Sequence, residues 1–537
     1  MTLANKLTFM KKLHFLFFAL LFSAPLTTLA QGGILINETN FPDENFRNYL
    51  LEQWYGSDGI IEEEEIQLID NISIPNYNIY NLKGIKHFTA LSWLACSDNH
   101  LTSLDVSGLT ELRSINCSNN QLISLDVSEC KALMSLYCYN NQIASPLNVS
   151  GYTALEFLEC YNNQIVSLDV SGCTALTALH CSDNQLTSLN VSGCTALGYM
   201  TCYRTPLASL DVSGCTNLER LECGNNSLTS LNVSGCITLR ELRCGGNPLN
   251  SLDVSSCRAL EELHCDAIHG TLINASGCTA LELIDGSRGQ IDSINVSGCT
   301  ALRELRCTDN QLLSLNVSGC TGLRTLTCTN NQLTSLDVSQ NKALTYLGCG
   351  NNQLTSLDVS QNTALKGLSC GNNQLTSLTV SENTALTSLS CNNNLLTSLD
   401  ILGCMALTSL DCHNNLLRGE TMDNIIIALP QNASEEKYTL HVYDKTNENE
   451  GNVCTESQIA AIKAKGWTPY YYDIVTNQWG NSWREWFEYG DDSNGISLPT
   501  ENTNKNVFIH NLAGQRIESI KGKKGIYIIG GKKVVIK

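Results

Sequence analysis

Between residues 91 and 417 the chain repeats one pattern of apolar and polar positions with a step of 21. A typical unit is Leu344-Thr345-Tyr346-Leu347-Gly348-Cys349-Gly350-Asn351-Asn352-Gln353-Leu354, or L-x-x-L-x-C-x-x-N-x-L. Leu347 and Cys349 alternate with other positions at the period of a strand, so both are expected to point inward from a short one. Each unit continues as Thr334-Ser335-Leu336-Asp337-Val338-Ser339 does. Leu336 and Val338 alternate again, which predicts a second short strand on the opposite wall. No unit has room for a long helix. Such a unit cannot bury its apolar face alone, so the pattern predicts coils stacked into a solenoid.

The pattern is the leucine-rich-repeat signature with cysteine in its third apolar slot. Fifteen cysteines from Cys96 to Cys412 form a comb whose step is 21 except for one step of 22 after Cys138, where Pro146 is the extra residue. Gly286 stands where one tooth is missing, giving 16 coils. Asn352 and its equivalents occupy 13 of them. A buried amide there is expected to bond the backbone of the next turn. The position between Leu336 and Val338 is Asp or Asn in all coils but one. In mid-array Asp169, Asn190, Asp211, Asn232, Asp253 and Asn274 alternate, relieving repulsion between carboxylates stacked about 5 Å apart. The Gly-rich calcium-repeat pattern is absent.

Ten more cysteines, from Cys130 to Cys404, sit eight residues before the next comb position, and Asn341, Asn362 and Asn383 fill that slot elsewhere. This predicts a turn position for small, half-polar side chains. Stacked, in-register thiols point the same way, which suits disulfides badly. No C-x-x-C pair exists to suggest zinc. The thiols are therefore expected to be free and buried, as small hydrophobes.

The ends of the array depart from the pattern, as a solenoid's caps must. Pro42 opens a helix whose Phe46, Tyr49 and Leu50 share a face, and a second helix begins near Glu62. Asp58, Gly59, Ile61 and Glu65 match the second half of an EF-hand loop, but Trp54 and Gly56 hold its first two ligand positions, so the pair reads as a cap. After Leu417 the periodicity is expected to stop. Thr421 to Leu429 reads as a helix and Tyr438 to Val442 as a strand. Thr455-x-x-Gln458 opens a helix closing at Gly466, and Trp467 to Tyr472 is read as the last strand. The predicted organisation is a signal peptide (1–30), a helical N-terminal cap (31–88), the solenoid (89–418), an α+β C-terminal cap (419–488), a polar linker (489–505) and a small β tail (506–537).

Composition narrows the function. The formal charge of −19 disfavours nucleic acid and anionic membranes as partners. Lys6, Lys11 and Lys12, the apolar run from Leu13 to Phe22 and the small-residue exit at Thr28-Leu29-Ala30 form a secretory signal, too short to span a bilayer. No nucleophile elbow, H-E-x-x-H, phosphate loop or paired-cysteine metal site occurs, so the sequence offers no catalytic residue, metal site or cofactor.

The run C-x-x-N-x-L-T-x-L-D-V-S-x-N at Cys349 to Asn362 resembles the cysteine-ladder repeats of internalin J-like surface adhesins. The resemblance implies a secreted or surface-anchored protein that engages a host or bacterial surface protein or glycan. The chain departs from it by placing Cys in ten slots where Asn is usual, and it lacks a Gram-positive wall-sorting tail. Its final segment, with Asn511-Leu512-Ala513-Gly514-Gln515-Arg516 and then GIYIIGGKKVVIK, resembles the C-terminal sorting domains of Bacteroidetes. This implies type IX secretion to the outer membrane of a Gram-negative cell.

The binding surface is expected on the concave sheet, across the first two thirds of the array. Outward strand positions there are large, whereas Gly348, Gly350, Ser369, Gly371 and Ser390 are small. Tyr137, Tyr139, Phe157, Tyr161, Tyr199 and Tyr203 are predicted to form one aromatic patch. Arg220, Glu222, Arg243, His264 and Arg306 lead a mixed-charge band beside it. The alternatives are aromatics that merely stack along the ladder, and a self-associating structural protein of biofilm or surface assembly.

Overall fold

The computed structural model describes residues 33–270, 272–476 and 482–489, and the strands Ile509–Asn511, Gly525–Ile529 and Lys532–Ile536. The predicted export signal lies outside these residues, as does nearly all of the predicted linker. Each of the 16 coils gives one three-residue strand to a long parallel sheet, from Trp93–Ala95 to Ser409–Asp411. The register never slips. Leu347 lies between Leu326 and Leu368, so identical positions stack into columns. The repeat sets this register, because shifting a strand by one residue would turn its apolar side chains outward.

The columns explain the conserved-looking letters of the pattern. Leu344, Leu347, Cys349, Leu354 and Val359 are fully buried, and the same holds along the array. At the missing tooth, Ile273 Cδ1 and Ile291 Cδ1 come to 3.1 and 3.4 Å of where a Gly286 Cβ would sit, so isoleucine methyls fill the space of the absent thiol. Of each Asn-Asn pair, the first residue takes the left-handed turn (Asn351 φ 52°), a conformation Asn tolerates better than most residues. The second carries the amide that ties coils together. Asn352 Nδ2 donates to the carbonyls of Cys328, Cys349 and Gly350 at 3.0–3.1 Å, and its Oδ1 accepts from Leu333 N at 2.9 Å. The amide thus bonds the preceding coil and not the next one as expected, because the side chain points back across the turn to carbonyls 24 residues earlier.

The turn cysteines have a more specific task than small size. Cys194 Sγ donates to Val170 O at 3.1 Å and Cys278 Sγ to Val254 O at 3.2 Å, each reaching the coil before. Asn362 Nδ2 serves the equivalent Val338 carbonyl at 2.9 Å, and Tyr152 reaches Val127 O through its hydroxyl at 2.6 Å. Cys, Asn and Tyr exchange here because each brings a second donor to a buried carbonyl that already accepts a backbone N–H, as Val170 O does from Cys173 N at 3.1 Å. Leu109 holds the slot in the first coil without a donor. All 26 cysteines are free and buried.

Two further expectations need correction. The opposite wall forms regular strands in only part of the array, in groups of three, two, three and two. Elsewhere the same residues run alongside without a regular ladder, as at Asp105 and Asp126, which make an isolated bridge. The ladder also does not stop at Leu417. Tyr438–Asp444 and Trp467–Thr476 extend the parallel sheet, and Asn452 repeats the coil amide, donating to Cys412 O and Val442 O and accepting from Leu417 N at 2.8–2.9 Å. The helices α3 (Glu420–Ala428) and α4 (Glu456–Ala464) lengthen these turns, which hides their period in the sequence. Nor is Trp467–Thr476 the final strand here, for Ser482–Glu488 folds back antiparallel on it.

At the front, Ile72 and Ile74 stack below Leu94 and Cys96, so Asn71–Ser73 is a degenerate first turn. The helix α1 (Glu44–Glu52) precedes it, with α2 (Glu63–Ile66) as one further turn. Asp43 caps Phe46 N through one carboxylate oxygen and holds Tyr80 N and Asn81 N through the other, docking α1 onto the array. In the EF-hand-like stretch, Asp58 closes a turn onto Ile60 N and Glu65 caps Glu62 N. Both carboxylates already have local work. The tail strands make a separate antiparallel sheet in the order Ile509–Asn511, Gly525–Ile529, Lys532–Ile536.

Candidate binding surface

With the inward positions committed to the core, each coil of the long sheet offers three outward side chains, one before the buried Leu, one between Leu and Cys, and one after Cys. Strand register converts these into three columns, and every predicted site residue stands in one of them. Tyr139 and Tyr161 are neighbours in the third column, and their rings stack at 4.6 Å with 5° between planes. That spacing matches the distance between strands, so the pair forms from register alone. Ser182 follows in that column, separating them from Tyr203, which carries Arg204 over its ring at 5.7 Å.

Phe157 stands in the first column between Ser135 and Ala178 and is 41% exposed. Tyr137 lies beside Glu159. Burial, then that carboxylate, raises the Tyr137 phenol above its ordinary value, and burial does the same for Tyr161 and Tyr199. All three therefore stay neutral hydrogen-bonding groups through physiological pH.

The expected single patch is thus two groupings. Tyr199 belongs as much to the charged band as to the aromatics, since Arg220 lies over its ring at 5.4 Å and its hydroxyl reaches Glu222 at 3.4 Å. Arg220 bridges Glu222 at 2.6 Å and Glu241 at 3.2 Å, and Arg243 takes the other side of Glu241. Farther along, His264 meets Glu262 at 3.1 Å, and Arg306 meets Glu304 at 2.7 Å and Asp285 at 3.7 Å. These exposed pairs add about 0–1 kcal/mol each to stability, so their main effect is to hold long side chains along the sheet. Glu241, Glu262 and His264 bring three ligating atoms within 4.8 Å of one another, but the Arg243 guanidinium already neutralises Glu241.

Some residues of the surface were passed over in the sequence reading. His180 packs edge-on to Tyr199 at 4.9 Å and is bonded to Thr201 at 3.3 Å. It occupies the column of Tyr137, so the comb numbering alone could have flagged it. Tyr346, 41% exposed, breaks the run of small residues in the later coils. Its ring lies where a Cβ on Gly367 would be, 2.8 Å from Cδ2, so that glycine makes room for the ring.

No family model and no curated protein matches the chain. Solved structures do. The functional domain of InlJ from Listeria monocytogenes, described as including a cysteine ladder, is 26% identical over 85% of this chain and 93% of its own, with a TM-score of 0.44. A leucine-rich-repeat protein of Leptospira interrogans is 19% identical over 75% of this chain and 95% of its own, at 0.48. YopM from Yersinia enterocolitica is 22% identical over 70% of this chain and 85% of its own, at 0.50. The chain is a leucine-rich-repeat solenoid. Among its described residues no helix is long and apolar enough to cross a membrane.

Proposed function

We propose that this leucine-rich-repeat solenoid is an exported, surface-displayed binding protein that engages a host or bacterial surface protein or glycan through the outward face of its long sheet. The observation that carries the reading is the contrast between columns. Inward positions barely vary, while outward ones hold tyrosines and ion-paired arginines on one stretch of coils. Tyr and Arg are the side chains that most often anchor interfaces, and half-exposed rings on a surface of Ser, Thr and Asn gain most by being covered. The signal-like start and the sorting-like tail support export and anchoring, and the resemblance to internalin J-like adhesins supports a role at a cell surface. The self-stacked Tyr139–Tyr161 pair favours one qualification, that part of the aromatic surface stabilises the sheet itself.

The test is the triple variant Tyr137→Ala, Tyr161→Ala, Tyr203→Ala. Binding of the mature chain to cells, or to the best hit on glycan and surface-protein arrays, should be abolished with little loss of melting temperature. A large fall in melting temperature with binding retained would return the tyrosines to a structural role. Self-association of the wild-type chain with no other partner would favour a structural protein of surface assembly.

A further inference from the structure

We infer that the C-terminal end of the long sheet carries a recess built for a neutral saccharide, separate from the tyrosine and arginine band. The recess has a volume of about 600 Å³, within the ~300–1,000 Å³ usual for small-ligand clefts. Asn372 and Asn393, from the left-handed turn column, line one part of it, with Asp411 of the last coil. Asn447 and Tyr472, from the turns that extend the ladder, line another with Trp486, from the strand folded back antiparallel on them.

The site is held before any ligand arrives. Trp486 stacks on His441 at 4.3 Å, meets the edge of His413 at 5.0 Å and packs on Tyr472 at 4.7 Å. His413 Nδ1 is 2.5 Å from Asp411 Oδ1, which orients that carboxylate. Beneath, the half-buried Glu450 carboxylate accepts from Asn414 N at 2.7 Å and Asp444 N at 2.8 Å. Asn414 Nδ2 in turn donates to Asn393 Oδ1 at 2.6 Å and Asp444 Oδ2 at 3.1 Å. The last coil and the first added turn are thereby fastened together, and the amide of Asn393 is fixed in place.

The chemistry of the lining selects the ligand class. Among the described lining residues there is neither lysine nor arginine, and two are aspartates, which repel phosphates, sulfates and carboxylates. The described lining holds no aliphatic side chain, which disfavours a lipid tail or an apolar peptide anchor. The carboxylates are already engaged, Asp411 by His413 and Asp444 by Thr446 and Asn414, so a metal ion would have to displace partners. What remains is an indole and a phenol beside amides and an oriented carboxylate. Aromatic rings accept the C–H face of a pyranose, and amides and carboxylates match vicinal hydroxyls with both donors and acceptors.

The experiment titrates the full chain, by calorimetry, with maltotriose, mannotriose and triacetylchitotriose as neutral probes and sialyllactose as a charged one. At least one neutral trisaccharide should bind, and sialyllactose should not. Trp486→Ala should weaken that binding about tenfold, and Asn447→Ala about threefold. Trp486→Phe should restore most of what Trp486→Ala loses, and Tyr161→Ala should change nothing. If Trp486→Ala fails to fold, Asn447→Ala and Trp486→Phe carry the test. Failure of all three neutral probes, equal binding of sialyllactose, or indifference to the Trp486 and Asn447 variants would each overturn the proposal. A loss seen with Tyr161→Ala would place the saccharide on the tyrosine band instead.

Discussion

Two columns of cysteine run the length of the solenoid, equally buried and made of the same residue, yet they do different work. The comb thiols, such as Cys349, sit among leucines where little more than volume and apolarity is asked of them, and only Cys181 and Cys307 reach a carbonyl, at 3.3 and 3.4 Å. The turn thiols, such as Cys194 and Cys278, are donors aimed at a carbonyl one coil back, a valine's in these two and an alanine's (Ala275) for Cys299. Substitution across the array follows that difference. The comb admits Gly286 with isoleucines filling in, whereas the turn slot admits Asn and Tyr, which also donate, and a non-donating Leu109 only at the first coil. Burial alone therefore says little about what a position requires; the polar atoms it faces decide.

The largest expected effect treats both columns together. Burial pushes the thiols of Cys117, Cys160 and Cys202 up to about 12, and those of the turn residues Cys215, Cys320 and Cys404 to about 11. An unfolded thiol ionises near 8.5. Because the folded values are raised, this contribution to stability is whole below about pH 8.5 and is lost as pH rises toward the folded values. Each thiol costs about 1.4 kcal/mol per pH unit in that window, and the 25 thiols of the two columns act at once, with Cys454 beyond them. The chain should thus unfold steeply between about pH 9 and 11, read by circular dichroism without reductant. A chain indifferent to alkali, with few thiols titrated after denaturation, would break the free-thiol account of both columns.

The next effect separates them. Cys349→Asn should lower stability by about 3 kcal/mol, because an amide would be sealed among leucines without partners. Cys320→Asn should cost no more than about 1 kcal/mol, since Asn341 already serves the same slot one coil later. Denaturant midpoints of the two variants make the comparison, and equal losses would show that the columns are not distinct. The smallest effect lies in the turn beside the comb. Ala267 holds a φ of 54° where most coils use Asn. Ala267→Asn should raise stability by about 1 kcal/mol by relieving that strain. A fall in the unfolding midpoint would mean the left-handed turn is not what selects Asn.

Much of this was legible because the repeat states its own geometry. Leu347 and Cys349 announce a strand, the 21-residue step announces its register, and the outward columns follow by counting. Counting placed Tyr139 beside Tyr161. It also set Arg220 next to Tyr199 in the first column, but did not show that the Tyr199 hydroxyl reaches Glu222 in the second, since contacts across columns depend on side-chain length and rotamer. The recess was hidden for a different reason. Trp486 and Asn447 lie beyond the last regular coil, where α3 and α4 stretch the turns and remove the spacing that made the rest readable.

The sequence by itself determined the solenoid, its coil number, the inward and outward faces and the free state of its thiols. Those properties depend on local periodicity repeated until no other arrangement can bury the leucines. Only the tertiary structure decided which carbonyl each turn cysteine serves, which charges pair, and that two irregular turns continue the ladder and close a polar recess against its last coil. Such contacts join residues through the stacking of coils, where a difference of one ångström decides whether a donor meets its acceptor, and no spacing along the chain encodes that distance.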